Sequence, residues 1–147
     1  MAGKIFATDI DPLAPALQVA DAFYMVPRLD APEYVQALHD ICVREGIKLV
    51  FPLIDPDIPI LACHREVLEQ TGAKLAVIPS ESVDIVGDKW KTFQFFQHLG
   101  LPTPMSWLPD DPAVQAQPFP LFMKPRRGSA SHHTFKVRNR KELDFFS

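Results

Sequence analysis

The sequence predicts an α/β fold, in which a parallel sheet has helices on both faces. Short apolar, β-branched runs alternate with segments whose apolar residues recur at helical spacing. A strand followed by an Asp-Pro helix start, a helix and a terminal glycine occurs repeatedly in about the first 80 residues. Strands that alternate with helices of this length favour parallel pairing, because a parallel connection needs a long crossover.

Three buried strands are predicted in this first part of the chain. They cover residues 4–7, 47–53 and 74–78, and a further short apolar run covers residues 23–26. A doubly wound sheet usually continues from its first strand into a glycine-rich turn, but here the strand leads into Asp9 and Asp11. Either the fold lacks the usual first strand, or the chain begins after it.

Two helices are predicted between these strands. The first is expected at about residues 33–45, with Asp30 as its cap, Glu33 at the capping-box position and Gly46 at its end. The second is expected at about residues 57–71. Its predicted cap is the segment from Asp55 to Asp57, and its predicted end is Gly72.

The chain changes character after about residue 80. Ser80 is predicted to cap a short helical turn, and Asp88 a longer helix that ends at Gly100. A polar, proline-rich loop follows at residues 109–118, where Asp110 and Asp111 are interpreted as loop or cap residues. Two strands are then expected, and a last helix begins where the sequence stops. These three elements cover residues 120–124, 134–137 and 141–146.

Composition excludes several classes of protein. The 147 residues carry a formal net charge of −3, whereas a partner such as nucleic acid or an anionic membrane would require a basic face. Cys42 and Cys63 have no metal-ligand spacing and are interpreted as small buried apolar side chains. There is no apolar signal segment and no run of membrane-spanning length, so a cytoplasmic protein is expected.

The segment that follows the first of the two later strands has the residues of a phosphate-binding loop. Lys124 ends the strand, and the loop continues through Gly128 to Ser131. Small residues let backbone N–H groups approach phosphate oxygens, and the lysine adds a point charge. The alternative is a β-hairpin with a basic, solvated turn.

A second candidate is the helix start at Gly87, Asp88 and Lys89. A lysine in the first turn of a helix is disfavoured by the helix dipole, so Lys89 is a candidate ligand-binding residue. The alternative is a solvated lysine with no ligand.

Together these segments resemble the ATP-grasp superfamily. Residues 87–104 are similar to the helix that leads into the grasp, and residues 119–131 to its first ATP-binding strand and phosphate loop. The segments at residues 9–21 and 50–62 resemble carbamoyl-phosphate-synthase-like members. The resemblance implies a Rossmann-like pre-ATP-grasp domain at residues 1–86, a linking helix and loop at 87–118, and an incomplete α+β ATP-grasp lobe at 119–147.

The resemblance also implies a set of ATP phosphate-binding residues. Lys89 and Lys124 match the two basic positions of the family, and the closing loop corresponds to Gly128, Ser129, Ala130 and Ser131. Family members often have more glycine in this loop, where this chain has Ala130, His132 and His133. The two histidines are interpreted as solvated loop residues. Neither metal ligands nor catalytic residues are assigned, because the family's Mg²⁺ ligands and catalytic arginine lie further along the chain.

Two functions remain open from the sequence. One is the ATP-binding portion of an ATP-dependent carboxylate–amine ligase, present as a truncated or split fragment that is inactive alone and has a second chain or self-association as its partner. The other is a non-catalytic pre-ATP-grasp interaction module. For the last part of the chain, an exposed apolar surface is expected around four aromatic residues, which are Phe122, Phe135, Phe145 and Phe146.

Overall fold

The computed structural model describes residues 3–146, and the chain forms two compact units that divide between Ile78 and Pro79. Parallel strand pairs alternate with helices in the first unit, and an antiparallel pair with helices forms the second. The predicted α/β fold class is therefore confirmed. No helix in residues 3–146 is long and apolar enough to cross a membrane.

The first unit contains two short parallel strand pairs. Strand β1 (Phe6–Asp9) pairs with β2 (Ala22–Met25) across helix α1 (Pro15–Val19). Strand β3 (Leu49–Val50) pairs with β4 (Lys74–Leu75). The strands predicted at residues 47–53 and 74–78 are therefore longer than the observed β3 and β4. Pro52 lacks an amide hydrogen for the ladder, and Phe51 is 63% exposed.

Helix α2 (Tyr34–Glu45) confirms the first predicted helix and its end. Gly46 adopts the left-handed conformation at φ 60°, which a residue without a Cβ reaches at little cost. The predicted cap is wrong, because the Asp30 carboxylate binds Arg28 at 3.2 Å instead of the helix amides. Glu33 occupies the cap position without a side-chain hydrogen bond.

The second predicted helix is divided into α3 (Asp57–Cys63) and α4 (Arg65–Glu69). His64 leaves the helical conformation at φ −103°. Its ring nitrogen Nδ1 lies 2.9 Å from the carbonyl oxygen of Ile60, which also accepts the His64 backbone N–H at 3.1 Å. A side chain that shares a backbone acceptor in this way competes with helix continuation.

Five buried side chains form the core of the first unit. They come from helices α2, α3 and α4 and strand β4: Tyr34, Leu38, Leu61, Leu68 and Leu75. The predicted capping role of Asp57 is wrong: its carboxylate is buried, with 8% of the residue exposed, and accepts a 2.9 Å hydrogen bond from the Tyr34 hydroxyl. Cys42 is buried as expected, but Cys63 is exposed, so its predicted burial is wrong.

The second unit begins with two helices, α5 (Ser80–Val86) and α6 (Lys89–His98). Asp88 caps α6 as predicted, and Gly100 follows the helix in the left-handed conformation at φ 65°. Ser80 is the first residue of α5 and makes no capping hydrogen bond, because Pro79 occupies the cap position. The predicted cap at Ser80 is therefore wrong.

The rest of the second unit is built on an antiparallel strand pair. The predicted loop contains a 3₁₀ helix (Pro112–Ala116), which the Asp111 carboxylate caps. Strand β5 (Leu121–Met123) pairs with β6 (Phe135–Val137), and helix α7 (Arg140–Phe146) packs on them. The core of this unit consists of three buried residues: Val114, Val137 and Leu143.

Three of the four predicted aromatics of the second unit are exposed. Phe122 is 69% exposed, Phe145 81% and Phe146 37%. Phe135 differs, because it packs against the core of the unit and stacks on Phe146 with ring centroids 4.1 Å apart.

Candidate functional site

The turn between α5 and α6 places the carboxylate of Asp88 in the interior of the second unit. A Cβ on the intervening Gly87 would lie 2.9 Å from the carbonyl oxygen of Val83, so only glycine lets the chain pass this close. The Val83 oxygen also accepts the Gly87 N–H at 2.8 Å. Asp88 follows in an extended backbone conformation and is the N-cap residue of α6.

Asp88 joins the helix start to the segment after β5. Its carboxylate accepts hydrogen bonds from the N–H groups of Trp90 (2.9 Å) and Lys91 (3.3 Å). The Arg126 guanidinium donates to both oxygens, at 3.2 Å from Nε and 2.6 Å from Nη2. The side chain is only 3% exposed. The Arg126 hydrogen bonds lower the pKa of Asp88 to about 2, while burial acts in the opposite direction.

Lys89 makes two contacts with the same segment. Its backbone N–H donates to the carbonyl oxygen of Arg126 at 2.9 Å. Its ammonium Nζ donates to the carbonyl oxygen of Gly128, also at 2.9 Å. The start of α6 therefore holds residues 126–128 by the ion pair between Asp88 and Arg126 and by the two hydrogen bonds of Lys89.

A second, exposed ion pair cluster lies beside the first. Asp84 of α5 binds the Arg127 guanidinium at 2.7 Å and the Lys91 ammonium. Hydrogen bonds from Lys91 and Arg127 lower the pKa of Asp84. Arg127 also lies 3.9 Å from the Asp88 carboxylate. Four cationic side chains thus surround the start of the loop, and two carboxylates neutralise part of their charge.

Four residues in the loop between β5 and β6 have positive φ, which is unfavourable for the three of them that carry a side chain. Gly128 has φ 124°, and three residues with side chains also have positive φ: Ala130 (53°), Ser131 (58°) and His133 (54°). The His132 N–H donates to the Ser129 carbonyl at 3.2 Å and closes a turn. Positive φ at both central residues of such a turn normally selects Asn or Gly, so Ala130 and Ser131 store strain here.

The structure brings some of the predicted site residues together. Lys89 contacts the loop at Gly128, and Lys124 lies exposed at the entrance to the loop, directly after β5. The rest of the loop is accessible: Ala130 and Ser131 are exposed, and Ser129 is half-buried.

Three residues of this network were given no role from the sequence: Asp84, Arg126 and Arg127. The sequence shows that two arginines directly follow Lys124-Pro125 and that Asp84 and Asp88 lie four residues apart, but it does not indicate that these arginines and aspartates pair. The neighbouring His132 and His133 are exposed as expected. Among residues 3–146, no three or more His, Cys, Asp or Glu side chains are grouped to hold a metal ion.

Comparison with known protein families accounts for nearly the whole chain. Residues 1–76 match the PylC-like, N-terminal domain family. Residues 86–147 match the ATP-grasp domain family. The chain belongs to the ATP-grasp superfamily, with a PylC-like N-terminal domain. The resemblance inferred from the helix start at Lys89 and the loop after Lys124 is therefore confirmed.

Two relatives of this ATP-grasp chain are a ligase and a synthase. A D-alanine–D-alanine ligase from Francisella philomiragia is 31% identical over 102 residues, which are 62% of this chain and 34% of the ligase. A carbamoyl-phosphate synthase from Methanobrevibacter smithii is 29% identical over 119 residues, which are 76% of this chain and 31% of the synthase. The chain therefore spans about a third of the length of these relatives.

A solved structure shares the fold of the ATP-grasp chain. It is the biotin carboxylase domain of a 2-oxoglutarate carboxylase from Hydrogenobacter thermophilus, crystallised with MgADP, ADP and bicarbonate. The TM-score is 0.65 at 19% identity, and the match covers 95% of this chain and 33% of the other.

Proposed function

We propose that this chain carries the ATP phosphate-binding part of an ATP-dependent ligase, which joins a carboxylate to an amine or a related nucleophile by way of an acyl phosphate. Membership of the ATP-grasp superfamily and similarity to a ligase and a synthase support this reaction class. The observation that carries the proposal is the contact of Lys89, at a helix start, with the loop that follows Lys124.

Lys89 and Lys124 would bind the phosphates of ATP as cations. Gly128, Ser129, Ala130 and Ser131 would donate backbone N–H groups and hydroxyls to the same oxygens. The residues of this region fit a polyanion, since the Lys89 ammonium contacts the loop at Gly128 and the loop directly follows Lys124, which is exposed. Such donors would orient the terminal phosphate and neutralise charge that develops on it during transfer.

The acidic residues of this region do not fit a magnesium site. Both nearby carboxylates already bind cationic side chains: Asp88 binds Arg126, and Asp84 binds Arg127 and Lys91. A divalent cation needs carboxylate oxygens that are not already neutralised. We therefore assign no magnesium ligand to this region and derive no step of the reaction through a metal ion.

The domain organisation belongs to the same proposal. Residues 1–86 would form the pre-ATP-grasp domain, residues 87–118 the linking helix and loop, and residues 119–147 the start of the ATP-grasp lobe. Because the chain spans about a third of its relatives, the acceptor site and the remaining ATP contacts would come from further sequence or a second chain. We expect the 147-residue chain alone to show no Mg²⁺-dependent ADP release.

Nuclear magnetic resonance titration of the ¹⁵N-labelled chain with ATP tests the phosphate site. We expect shifts at the amides of residues 128–131 and weak affinity, on the order of millimolar, or about −4 kcal/mol. Lys124→Ala and Lys89→Ala should each abolish these shifts. Lys141→Ala is the matched control, because this exposed lysine lies on α7, outside the loop, and its loss should leave the titration unchanged.

Two results would count against this function. Equal loss of binding in Lys141→Ala would mean that ATP is attracted only by general positive charge. A chain that gives no shifts with ATP would support the alternative, a non-catalytic pre-ATP-grasp interaction module.

A further inference from the structure

Arg126 and Arg127 are neighbours in sequence but hold partners of very different exposure. Arg126 binds Asp88, whose side chain is 3% exposed, through two hydrogen bonds. Arg127 binds mainly Asp84, whose side chain is 56% exposed. A buried carboxylate that also caps a helix cannot turn away to water, whereas an exposed one can. The Arg126 pair is therefore the fixed one of the two.

The three contacts that attach the loop to α6 also differ in how easily a ligand could replace them. The Arg126–Asp88 pair is partly buried, and the Lys89 N–H bond to the Arg126 carbonyl belongs to the backbone. The Lys89 ammonium, in contrast, is bonded to one neutral carbonyl in an exposed position. A phosphate oxygen is a stronger acceptor for an ammonium than a peptide carbonyl, because the bond is charge-assisted on both sides.

We propose that Arg126 is a positioning residue rather than a phosphate ligand. Through Asp88 it anchors the base of the loop to the first turn of α6, so that the Lys89 ammonium can exchange the Gly128 carbonyl for a phosphate oxygen. The proposal rests on the phosphate-binding function and adds the ion pair that positions the loop of the phosphate site. The strained residues Ala130 and Ser131 lie beyond the anchor, in an exposed part of the loop.

The two roles of Arg126 predict opposite outcomes when its partner is removed. In Asp88→Asn the side chain keeps the size and helix-capping ability of aspartate but loses the charge that holds Arg126. If Arg126 positions the loop, this variant binds phosphate more weakly. If Arg126 is itself a phosphate ligand, the variant releases a guanidinium and binds as well as or better than the wild type.

A double-mutant cycle with pyrophosphate as the probe measures this difference. We expect Asp88→Asn and Arg126→Gln each to weaken binding by on the order of tenfold, and the double variant to be no weaker than either single one. Additive losses, or unchanged binding in Asp88→Asn, would overturn the positioning role. Asp84→Asn is the matched control, and it should leave affinity unchanged or raise it, because it removes a negative charge from an exposed pair.

Hydrogen exchange without ligand tests the anchor independently of phosphate binding. The Lys89 amide, bonded to the Arg126 carbonyl, should exchange about tenfold faster in Asp88→Asn and at the wild-type rate in Asp84→Asn. Equal exchange in both variants would reject the anchor. A wild type that binds no pyrophosphate, but shows the exchange difference, would reject the phosphate-binding function and leave the anchor standing.

Discussion

Asp57 and Tyr34 place a carboxylate and a phenol in the core of the first unit. The two residues are 8% and 5% exposed, and the hydroxyl donates to the carboxylate at 2.9 Å. Burial raises the pKa of Asp57, against the opposing effect of the Tyr34 hydrogen bond. Burial also raises the pKa of Tyr34, and the nearby carboxylate acts in the same direction. The charged form of Asp57 is therefore a cost to the folded state.

We expect Asp57→Asn to increase the free energy of unfolding at pH 7. The amide oxygen can still accept from Tyr34, and no charge has to be desolvated. A group whose folded pKa is raised stabilises the fold fully only below its unfolded pKa, about 3.9, and loses that contribution as the pH rises through the folded value. The advantage of the variant, measured by urea unfolding, should therefore shrink as the pH falls from 7 towards 4.

The control is Tyr34→Phe, which removes the donor and keeps the buried carboxylate. We expect this variant to lose about 1–3 kcal/mol, because a buried acceptor is left without its partner. A pH-independent difference between Asp57→Asn and the wild type would show that ionisation of Asp57 is not the cause.

Single residues show what the sequence could and could not predict. The cap at Asp88 was predicted because the helix that it caps has a distinct start and end, and the hydrogen bonds from the N–H groups of Trp90 and Lys91 confirm the role. Asp30 and Asp57 have similar sequence surroundings but bind Arg28 and Tyr34. Their partners are set by which side chains the fold brings near, so helix-start patterns alone could not distinguish a cap from a pair.

Arg65 completes the hydrogen bonding of strand β4 at its carboxyl end. From helix α4 its guanidinium donates to the carbonyl oxygens of Val77 (2.6 Å), Ile78 (3.2 Å) and Leu75 (3.3 Å). These acceptors lie at or beyond the end of a two-residue strand. The side chain therefore serves as the partner that a neighbouring strand would otherwise provide.

We expect Arg65→Lys to lower the free energy of unfolding by about 1–3 kcal/mol, because an ammonium cannot reach three acceptors as the planar guanidinium does. Arg28→Lys is the matched control: Arg28 is 74% exposed and binds one exposed carboxylate, so its change should stay within about 0.5 kcal/mol. Urea unfolding measures both. Equal losses in the two variants would contradict a special role for Arg65.

The α5–α6 turn depends on the missing side chain of Gly87. Its φ of −77° is accessible to any residue, so the conformation alone would favour alanine slightly. The new Cβ would nevertheless lie 2.9 Å from the Val83 carbonyl oxygen, a backbone atom that cannot move without opening the turn. We expect Gly87→Ala to destabilise the second unit by about 1–3 kcal/mol in urea unfolding.

Gly3→Ala is the control, since a Cβ there meets nothing within 4 Å and the change should stay within about 0.5 kcal/mol. If Gly87→Ala were as stable as the wild type, the turn would have to accommodate the methyl group by a shift of Asp88, and the geometry of the anchor would be in doubt.

Elements were easier to predict in kind than in length. Helix α2 and the β5–β6 pair lie where their patterns indicate, because periodicity and glycine or proline stops act locally. Strand β3 is shorter than its apolar run, since Pro52 stops the ladder and Phe51 is exposed. The break at His64 depends on a ring nitrogen that binds the Ile60 carbonyl, for which the helical pattern gives no signal.

At the scale of the whole molecule, the sequence leads to the correct superfamily but leaves open the acceptor and nucleophile of the proposed reaction. The family was recognisable because its two features, a lysine at a helix start and a lysine before a loop of small residues, are each contained in a short sequence motif. The Asp84–Arg127 ion pair joins residues 43 positions apart, and the Asp88–Arg126 pair joins residues 38 positions apart. Only the folded chain brings such residues together, so the anchor of the loop could not be predicted.

The exposed aromatics of the second unit lead to a prediction about association. Phe145 is 81% exposed, and Phe122 is 69% exposed. The ring of Phe145 lies edge-on to that of Phe146, with ring centroids 5.0 Å apart. Large exposed apolar side chains favour association, because contact removes their surface from water. We expect the chain to self-associate with rising concentration in sedimentation velocity, and Phe145→Glu to reduce that association.

Leu13→Glu is the matched control for this variant, because Leu13 is also 81% exposed but lies in the first unit, in the segment between β1 and α1. Both substitutions should change the free energy of unfolding by no more than about 0.5 kcal/mol, since neither side chain is part of a core. If the two variants reduced association equally, added negative charge would explain the result. A specific effect of Phe145→Glu would instead assign the association to the aromatic surface of the second unit.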